Sequence, residues 1–455
     1  MTHFLLLTKG TGGDLNPFVC LGQQLKQRQH RVTLATHGVY ESQVTAAGLD
    51  FVALDTAALF RQMMDELPLS QSPSGLIEYF RRYSVARLSA EFERLQPYCQ
   101  AAETAIVAHS ALFFLAKSLS ESLHLTCIPI LLAPFFAGNI LIQEGMHRFL
   151  QSEINDCRAQ LALPAVQDWK RWLQDGHRFL ALWPAWFASG ETGWPQHVDL
   201  TAFPLDTVAA GKPLPDKVQK FLSEYPDPTL ITHGTSALLK GDFLAAGVEA
   251  CRRQKRPAIL LTRHAHQVPA RLPAHILWFD ALPFEQIMPH VQAVIHHGGV
   301  GTTAQAIRAG IPQVIPARGF DRPDNAQRVQ ALGIGEYLPP LQWTADNIAA
   351  AFDRVLQPEV RQRCQAFSRR MEDAPQQIIA ETVEQIASSL PPPSSLAAPG
   401  LAEPSKHSRP APSQAHTHRQ PDLQRLSHAL SPERLALLSR QIAKRNERTN
   451  DDPAS

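Results

Sequence analysis

Residues 293–325 read AVIHHGGVGTTAQAIRAGIPQVIPARGFDRPDN. The apolar run Ala293-Val294-Ile295 has the length of a buried strand. A turn almost free of side chains follows, His296-His297-Gly298-Gly299-Val300-Gly301. From Thr302 onward, apolar residues recur at Ala304, Ile307 and Ala309, so the spacing predicts a helix. Strand, glycine turn and helix start together make a phosphate site. Glycines let the backbone approach closely, and the first N–H groups of a helix have no partner inside it. His296, His297, Thr302 and Thr303 add donors at the same corner. A second apolar run, Gln313-Val314-Ile315, comes after Gly310 and Ile311-Pro312 and closes a βαβ unit. Asp321-Arg322-Pro323-Asp324-Asn325 then forms another strand-to-helix loop, on the same edge of a parallel sheet.

The amino terminus repeats the pattern. Phe4-Leu5-Leu6-Leu7 reads as a buried strand and Lys9-Gly10-Thr11-Gly12-Gly13-Asp14 as a glycine loop. Asn16 is the expected N-cap of the next helix, with Pro17 its first residue. Val32-Thr33-Leu34-Ala35 is the second strand, and residues 47–54 lead into a third. The loop lacks GxGxxG spacing, so a dinucleotide is not expected. Asp14 has two readings. It caps N–H groups of its own loop, or it takes the proton of an alcohol, a role typically worth ~10²–10⁴ in rate.

The ordered set HHGGVGTT, RAGIPQVIP and DRPDNAQRV resembles the donor-binding signature of family 1 glycosyltransferases, and the first loop resembles their GTxGDxxP motif. Within that family the likeness is to the bacterial rhamnosyltransferase of rhamnolipid synthesis and to sterol and antibiotic transferases. It covers roughly residues 1 to 388. The resemblance implies an α/β GT-B fold, two Rossmann-like domains whose parallel sheets face a central cleft. The domains are expected at 1–205 for the acceptor and 229–388 for the nucleotide sugar, with a linker at 206–228 and a disordered tail at 389–455. It implies Asp14 as general base. Gly12 and Gly13, the corner Gly234-Thr235-Ser236, and His296, His297, Gly298, Gly299, Gly301 and Thr302 would bind the donor, His297 aligning better than His296 with the phosphate ligand. Phe279 falls where plant relatives stack a tryptophan on the base, with Leu282 beside it through its backbone. Gln305 stands where many relatives have a glutamate that pairs with the ribose hydroxyls, which favours a dTDP-sugar. Asp321-Arg322 replaces Asp-Gln, so the sugar itself stays open: dTDP-rhamnose first, then UDP-glucose or UDP-xylose. The implied reaction is inverting and metal-independent, with no cofactor besides the nucleotide-sugar co-substrate.

Other stretches suggest acceptor and partners. Phe113, Phe114, Phe135 and Phe136 either line a groove for an acyl chain or belong to the core. His109 ends a strand and is a weaker candidate for the cleft. A lipid, lipopeptide or other natural product is the expected acceptor. The alternatives are a nucleotide-sugar 2-epimerase of the same fold and a non-catalytic partner of another transferase. The tail is rich in Pro, Ser, Ala and His. Residues 431–445 within it carry a helix pattern that would suit protein docking. A formal net charge of +1 gives no reason to expect nucleic acid. The six cysteines form no CxxC, and no apolar run is long enough for a signal peptide or a transmembrane helix. The expected location is the cytoplasm, peripheral to the inner membrane.

Overall fold

The protein is described by a computed structural model covering residues 1–100, 103–138, 140–174, 177–205, 213–234 and 242–389. The tail beyond Ser389 with its helix pattern, residues 206–212 of the expected linker, and Thr235 and Ser236 lie outside these residues. Among the described residues thirteen strands form two sheets, parallel throughout.

The first sheet contains β1 (His3–Leu7), β2 (Arg31–Thr36), β3 (Asp50–Ala53), β4 (Thr104–His109), β5 (Thr126–Leu131), β6 (Phe179–Ala181) and β7 (Val198–Leu200), in the order β3-β2-β1-β4-β5-β6-β7. The second contains β8 (Thr229–Thr232), β9 (Ala258–Leu261), β10 (Ile276–Phe279), β11 (Ala293–His296), β12 (Gln313–Pro316) and β13 (Gly335–Leu338), in the order β10-β9-β8-β11-β12-β13. Helices cover both faces of such sheets, so their central strands read as unbroken apolar runs, as β1 and β11 do. Every residue of β1 and β11 is buried.

Each order reverses once. In the first sheet β1 lies between β2 and β4, and in the second β8 lies between β9 and β11. Loops leaving the carboxyl ends of β1 and β4, or of β8 and β11, run to opposite faces and open a crevice between them. Asp14 and His109 stand at the first crevice, and Gly234 and His297 at the second.

One expectation changes. The first helix is Gly12–Gln27, not a helix begun at Pro17, and its N-cap is Thr11. The Thr11 N–H donates to Asp14 Oδ2 at 2.7 Å, which completes a capping box and starts the helix five residues earlier. Pro17 therefore lies inside the helix, and Asn16 Oδ1 accepts from Gln43 Nε2 at 3.0 Å instead of capping. Residues 201–205 run past the end of β7 as irregular, mostly buried chain.

The helix Pro375–Ser389 follows the second sheet in sequence but packs on the first. Ile379, Ala380, Val383 and Ile386 join Phe4, Leu6, Leu15 and Phe18 in one core. Arg28 grips Glu384 through two hydrogen bonds of 2.8 Å, and the Gln376 amide donates to the Leu205 carbonyl. Arg328 reaches Glu191 at 2.5 and 2.9 Å.

Candidate functional site

The glycine turn after β11 meets the geometry a phosphate needs. The helix Val300–Arg308 begins after Gly299, with no side chain capping it and no acidic residue in its first turn. Its first N–H groups are open to a ligand. Gly298 has φ +89°, and a Cβ there would come within 2.9 Å of the Arg322 carbonyl oxygen, so only glycine fits the turn against the next loop.

The two histidines separate cleanly. His296 is fully buried, and its Nδ1 accepts from the Gly298 N–H at 3.2 Å. The proton must then sit on Nε2, which donates to Gln313 Oε1 at 2.9 Å. Burial pushes the ring down to about 4, so it stays neutral. Its side chain has nothing left for a donor, contrary to the expectation that placed it in the phosphate site. His297 is the ring at the site. Glycines clear space for it on two sides. A Cβ on Gly234 would sit 2.5 Å from His297 Cε1, and one on Gly299 would sit 2.5 Å from Nε2. Burial first, then the charge of Arg322 and the neighbouring rings His296 and His233, hold it far below the usual histidine value. It therefore acts as a neutral imidazole. Its Nδ1 is buried without a hydrogen-bond partner among the described residues. Thr302 and Gln305 are buried on the same helix, and Gly301 faces open space.

The loop after β1 is tightly held. Asp14 Oδ2 accepts from the Thr11 N–H and, at 3.3 Å, from the Thr11 hydroxyl. The capping reading of Asp14 is thus what its contacts show. One oxygen caps, while Oδ1 has no hydrogen bond among the described residues and the carboxylate is half-buried. Gly12 and Gly13 form the first helical positions beside it. His109 is buried with neither ring nitrogen hydrogen-bonded among the described residues, and burial lowers it, opposed by the charge of Asp14.

A supporting pair escaped the sequence reading. The Gly10 N–H donates to His37 Nε2 at 2.9 Å, and His37 Nδ1 donates to Asp55 Oδ2 at 2.5 Å. Burial alone would raise Asp55, yet the His37 hydrogen bond and charge and the Gly38 N–H hold it below the ordinary carboxylate value. The signal was available. His37 directly follows β2 and Asp55 lies two residues past β3, adjacent parallel strands in which Thr36 pairs with Ala53.

Asp321 and Arg322 follow β12. Asp321 Oδ2 accepts from Asn325 Nδ2 at 2.9 Å, and the same amide donates to the Gly298 carbonyl at 3.0 Å. Burial raises Asp321 to about 6, and the charge of Asp14, from the other sheet, adds to that rise. Asp14 also acts on Arg322. The loops after β1 and β12 therefore sense one another, and the residues expected as base and as sugar contact share one electrostatic site.

The base-binding residues are less compact. Phe279 ends the edge strand β10, three strand spacings or about 14 Å from β11, and Lys217 Nζ lies 5.7 Å from its ring centre. Leu282 points into the core, which leaves only its backbone for a ligand. Of the four phenylalanines, Phe113 is core, packed on Phe179 and His177. Phe114 lines an apolar cavity with Phe80, Leu88, Leu112, Leu150 and Ile154. Phe135 and Phe136 contact each other edge to face, half-buried. Among the described residues no group of three or more His, Cys, Asp or Glu is arranged to hold a metal, and no helix is long and apolar enough to cross a membrane.

Two opposed parallel sheets with facing crevices define the GT-B fold. Residues 4–116 match the family model described as glycosyltransferase family 28 N-terminal domain, and residues 257–388 match that of the erythromycin biosynthesis protein CIII-like C-terminal domain. The chain is 23% identical to a sterol 3-beta-glucosyltransferase of Arabidopsis thaliana, covering 82% of itself and 63% of that protein. It is 26% identical to glycosyltransferase GtfE of Amycolatopsis orientalis, covering 80% of itself and 92% of GtfE. The solved structure of glycosyltransferase VinC in complex with dTDP aligns with a TM-score of 0.63 at 20% identity, over 85% of this chain and 99% of that one. With one family model in each half, the chain belongs to the GT-B glycosyltransferases, which use nucleotide sugars.

Proposed function

We propose that the chain moves a hexosyl or deoxyhexosyl group, with inversion, from a nucleoside diphosphate sugar to a hydroxyl of a lipid, lipopeptide or other natural product. The observation that carries this reading is the coupling of Asp14 on one sheet with Asp321 on the other. A sugar held between them would present its anomeric carbon to an alcohol activated from the opposite side. Asp14 Oδ1 takes the alcohol proton, the alcohol oxygen bonds to the anomeric carbon, and the bond from that carbon to the diphosphate oxygen breaks. The diphosphate leaves against the open N–H groups at Val300, Gly301 and Thr302, the Thr302 hydroxyl and the neutral His297 ring. Donors fixed where charge develops lower the barrier more than they stabilise the bound substrate. Asp321, once ionised, accepts hydrogen bonds from sugar hydroxyls.

Relatives support the substrate classes. VinC was solved with dTDP, a nucleoside diphosphate of the kind proposed here. Relatives named for a sterol and for O-mycaminosyltylonolide fit a large apolar acceptor. The gathered features also fit the absence of a required metal, since the helix end and His297 supply the donors a metal would otherwise provide.

The test is product analysis with dTDP-rhamnose, dTDP-glucose and UDP-glucose against hydroxyacyl, lipopeptide and sterol acceptors, with and without EDTA. Glycoside product, unaffected by EDTA, supports the reading, whereas free epimerised sugar replaces it. Asp14→Asn should lower kcat by ~10²–10⁴ and leave donor affinity intact. Activity close to wild type in that variant removes Asp14 as the base.

A further inference from the structure

Among the described residues four cationic side chains are buried: Lys9, Lys117, Arg158 and Arg322. Three of them have partners. Lys9 pairs with Glu91 at 2.5 Å, Lys117 contacts His177 at 2.6 Å, and Arg158 pairs with Glu121 at 2.7 Å. Arg322 is only 9% exposed, and its guanidinium makes no hydrogen bond or ion pair with any described residue. Asp321 and Asp14 attract it without touching it, and Arg318 repels it. A largely buried charge without a direct protein partner is costly unless water or a ligand compensates it.

Its position says what that group is. Arg322 is the first residue of the helix Arg322–Ala331, its carbonyl packs over Gly298, and its charge is felt by His297. It therefore borders the uncapped start of the helix Val300–Arg308, where the N–H groups already favour an anion. A guanidinium offers two parallel donors that match the paired oxygens of a phosphate or a carboxylate, a match that neither the point charge of a lysine nor a neutral amide reproduces.

We propose that Arg322 closes on a pair of anionic oxygens of the donor, either the terminal phosphate of its diphosphate or a carboxylate on its sugar. This rests on the donor reading given above. On the phosphate, Arg322 supplies positive charge to the leaving group, in a site whose histidine is held neutral. On a carboxylate, it selects uronosyl donors over neutral sugars. Both use the same two-pronged contact, and binding experiments separate them.

Binding of UDP, dTDP, UMP, dTMP, UDP-glucose and UDP-glucuronate to the full chain is measured by calorimetry, for wild type, Arg322→Gln and Arg322→Lys. If the terminal phosphate is the partner, Arg322→Gln weakens UDP and dTDP by about 10- to 100-fold and leaves UMP and dTMP within about twofold. If the sugar carboxylate is the partner, Arg322→Gln loses only the preference for UDP-glucuronate. In either case Arg322→Lys recovers part of the loss. The melting temperature of Arg322→Gln stays at or above that of wild type, because a buried charge without a partner has been removed; a structural role would lower it. Unchanged affinity of Arg322→Gln for every ligand overturns the proposal, as does a loss that follows a fall in melting temperature. Wild-type protein that binds none of the nucleotides overturns the donor reading itself.

Discussion

Gly10 and Asp14 fit together with no room to spare: a Cβ on Gly10 would lie 2.2 Å from Asp14 Oδ2. Gly10 also has φ +138°, a conformation that side chains rarely adopt. Gly10→Ala should therefore displace the carboxylate as well as strain the loop. The expected result is a fall in kcat comparable to that of Asp14→Asn, with donor affinity near wild type. Steady-state kinetics alongside donor calorimetry checks both halves of that statement.

The adjacent histidines should part company under mutation. His296→Ala removes a buried ring that serves Gly298 and Gln313, and strands their polar groups. A loss of ~1–3 kcal/mol in urea unfolding is expected. His297→Ala removes the buried ring between Gly234 and Gly299, whose Nδ1 has no partner among the described residues and so strands no polar group when it is lost. Donor affinity should drop about 10-fold or more, with little change in stability. Equal effects on both properties from both variants would contradict the division made here.

Asp321 carries a pH dependence whose sign is fixed. Its folded value of about 6 lies above the ordinary 3.8, so between those values the folded protein holds more protons than the unfolded chain. Its contribution to stability is therefore full at low pH and is lost as pH rises through 6. Asp321→Asn should raise stability at pH 7.5 by on the order of 1 kcal/mol, and progressively less as pH falls toward 3.8. Donor affinity of the wild type should increase from pH 5 to pH 7 as the carboxylate ionises. A melting series and donor titrations across pH 4–8 read both effects.

The returning helix should matter through its apolar face rather than its ion pairs. Ile386 is fully buried against the first core. Ile386→Ala should cost ~2–5 kcal/mol. Arg28→Ala breaks a solvent-screened surface contact with Glu384 and should cost much less than Ile386→Ala. Chemical denaturation of the two variants decides which dominates.

Much of this was legible in the sequence because parallel sheets write simple patterns. Apolar runs at Phe4–Leu7 and Ala293–Ile295 mark central strands, and glycines mark the turns that follow them. What stayed hidden depended on partners distant in sequence. Nothing near His296 announces Gln313, so the pair of histidines could not be divided into one for the turn and one for the ligand. The capping box of Thr11 and Asp14 competed with Asn16-Pro17 for the helix start, and local propensity pointed to the wrong one. Arg322 looked like a departure from a motif, and only the structure revealed it as buried with no hydrogen bond or ion pair among the described residues.

The helix Pro375–Ser389 also orders events during synthesis. The strands of the first sheet leave the ribosome early, with one apolar face waiting for residues that emerge only after the second sheet has been made. Until then that half must stay soluble with Phe4, Leu6 and Leu15 incompletely covered. A chain halted before Pro375 should thus be captured by chaperones through its earliest-made portion, even though the deletion lies at the far end.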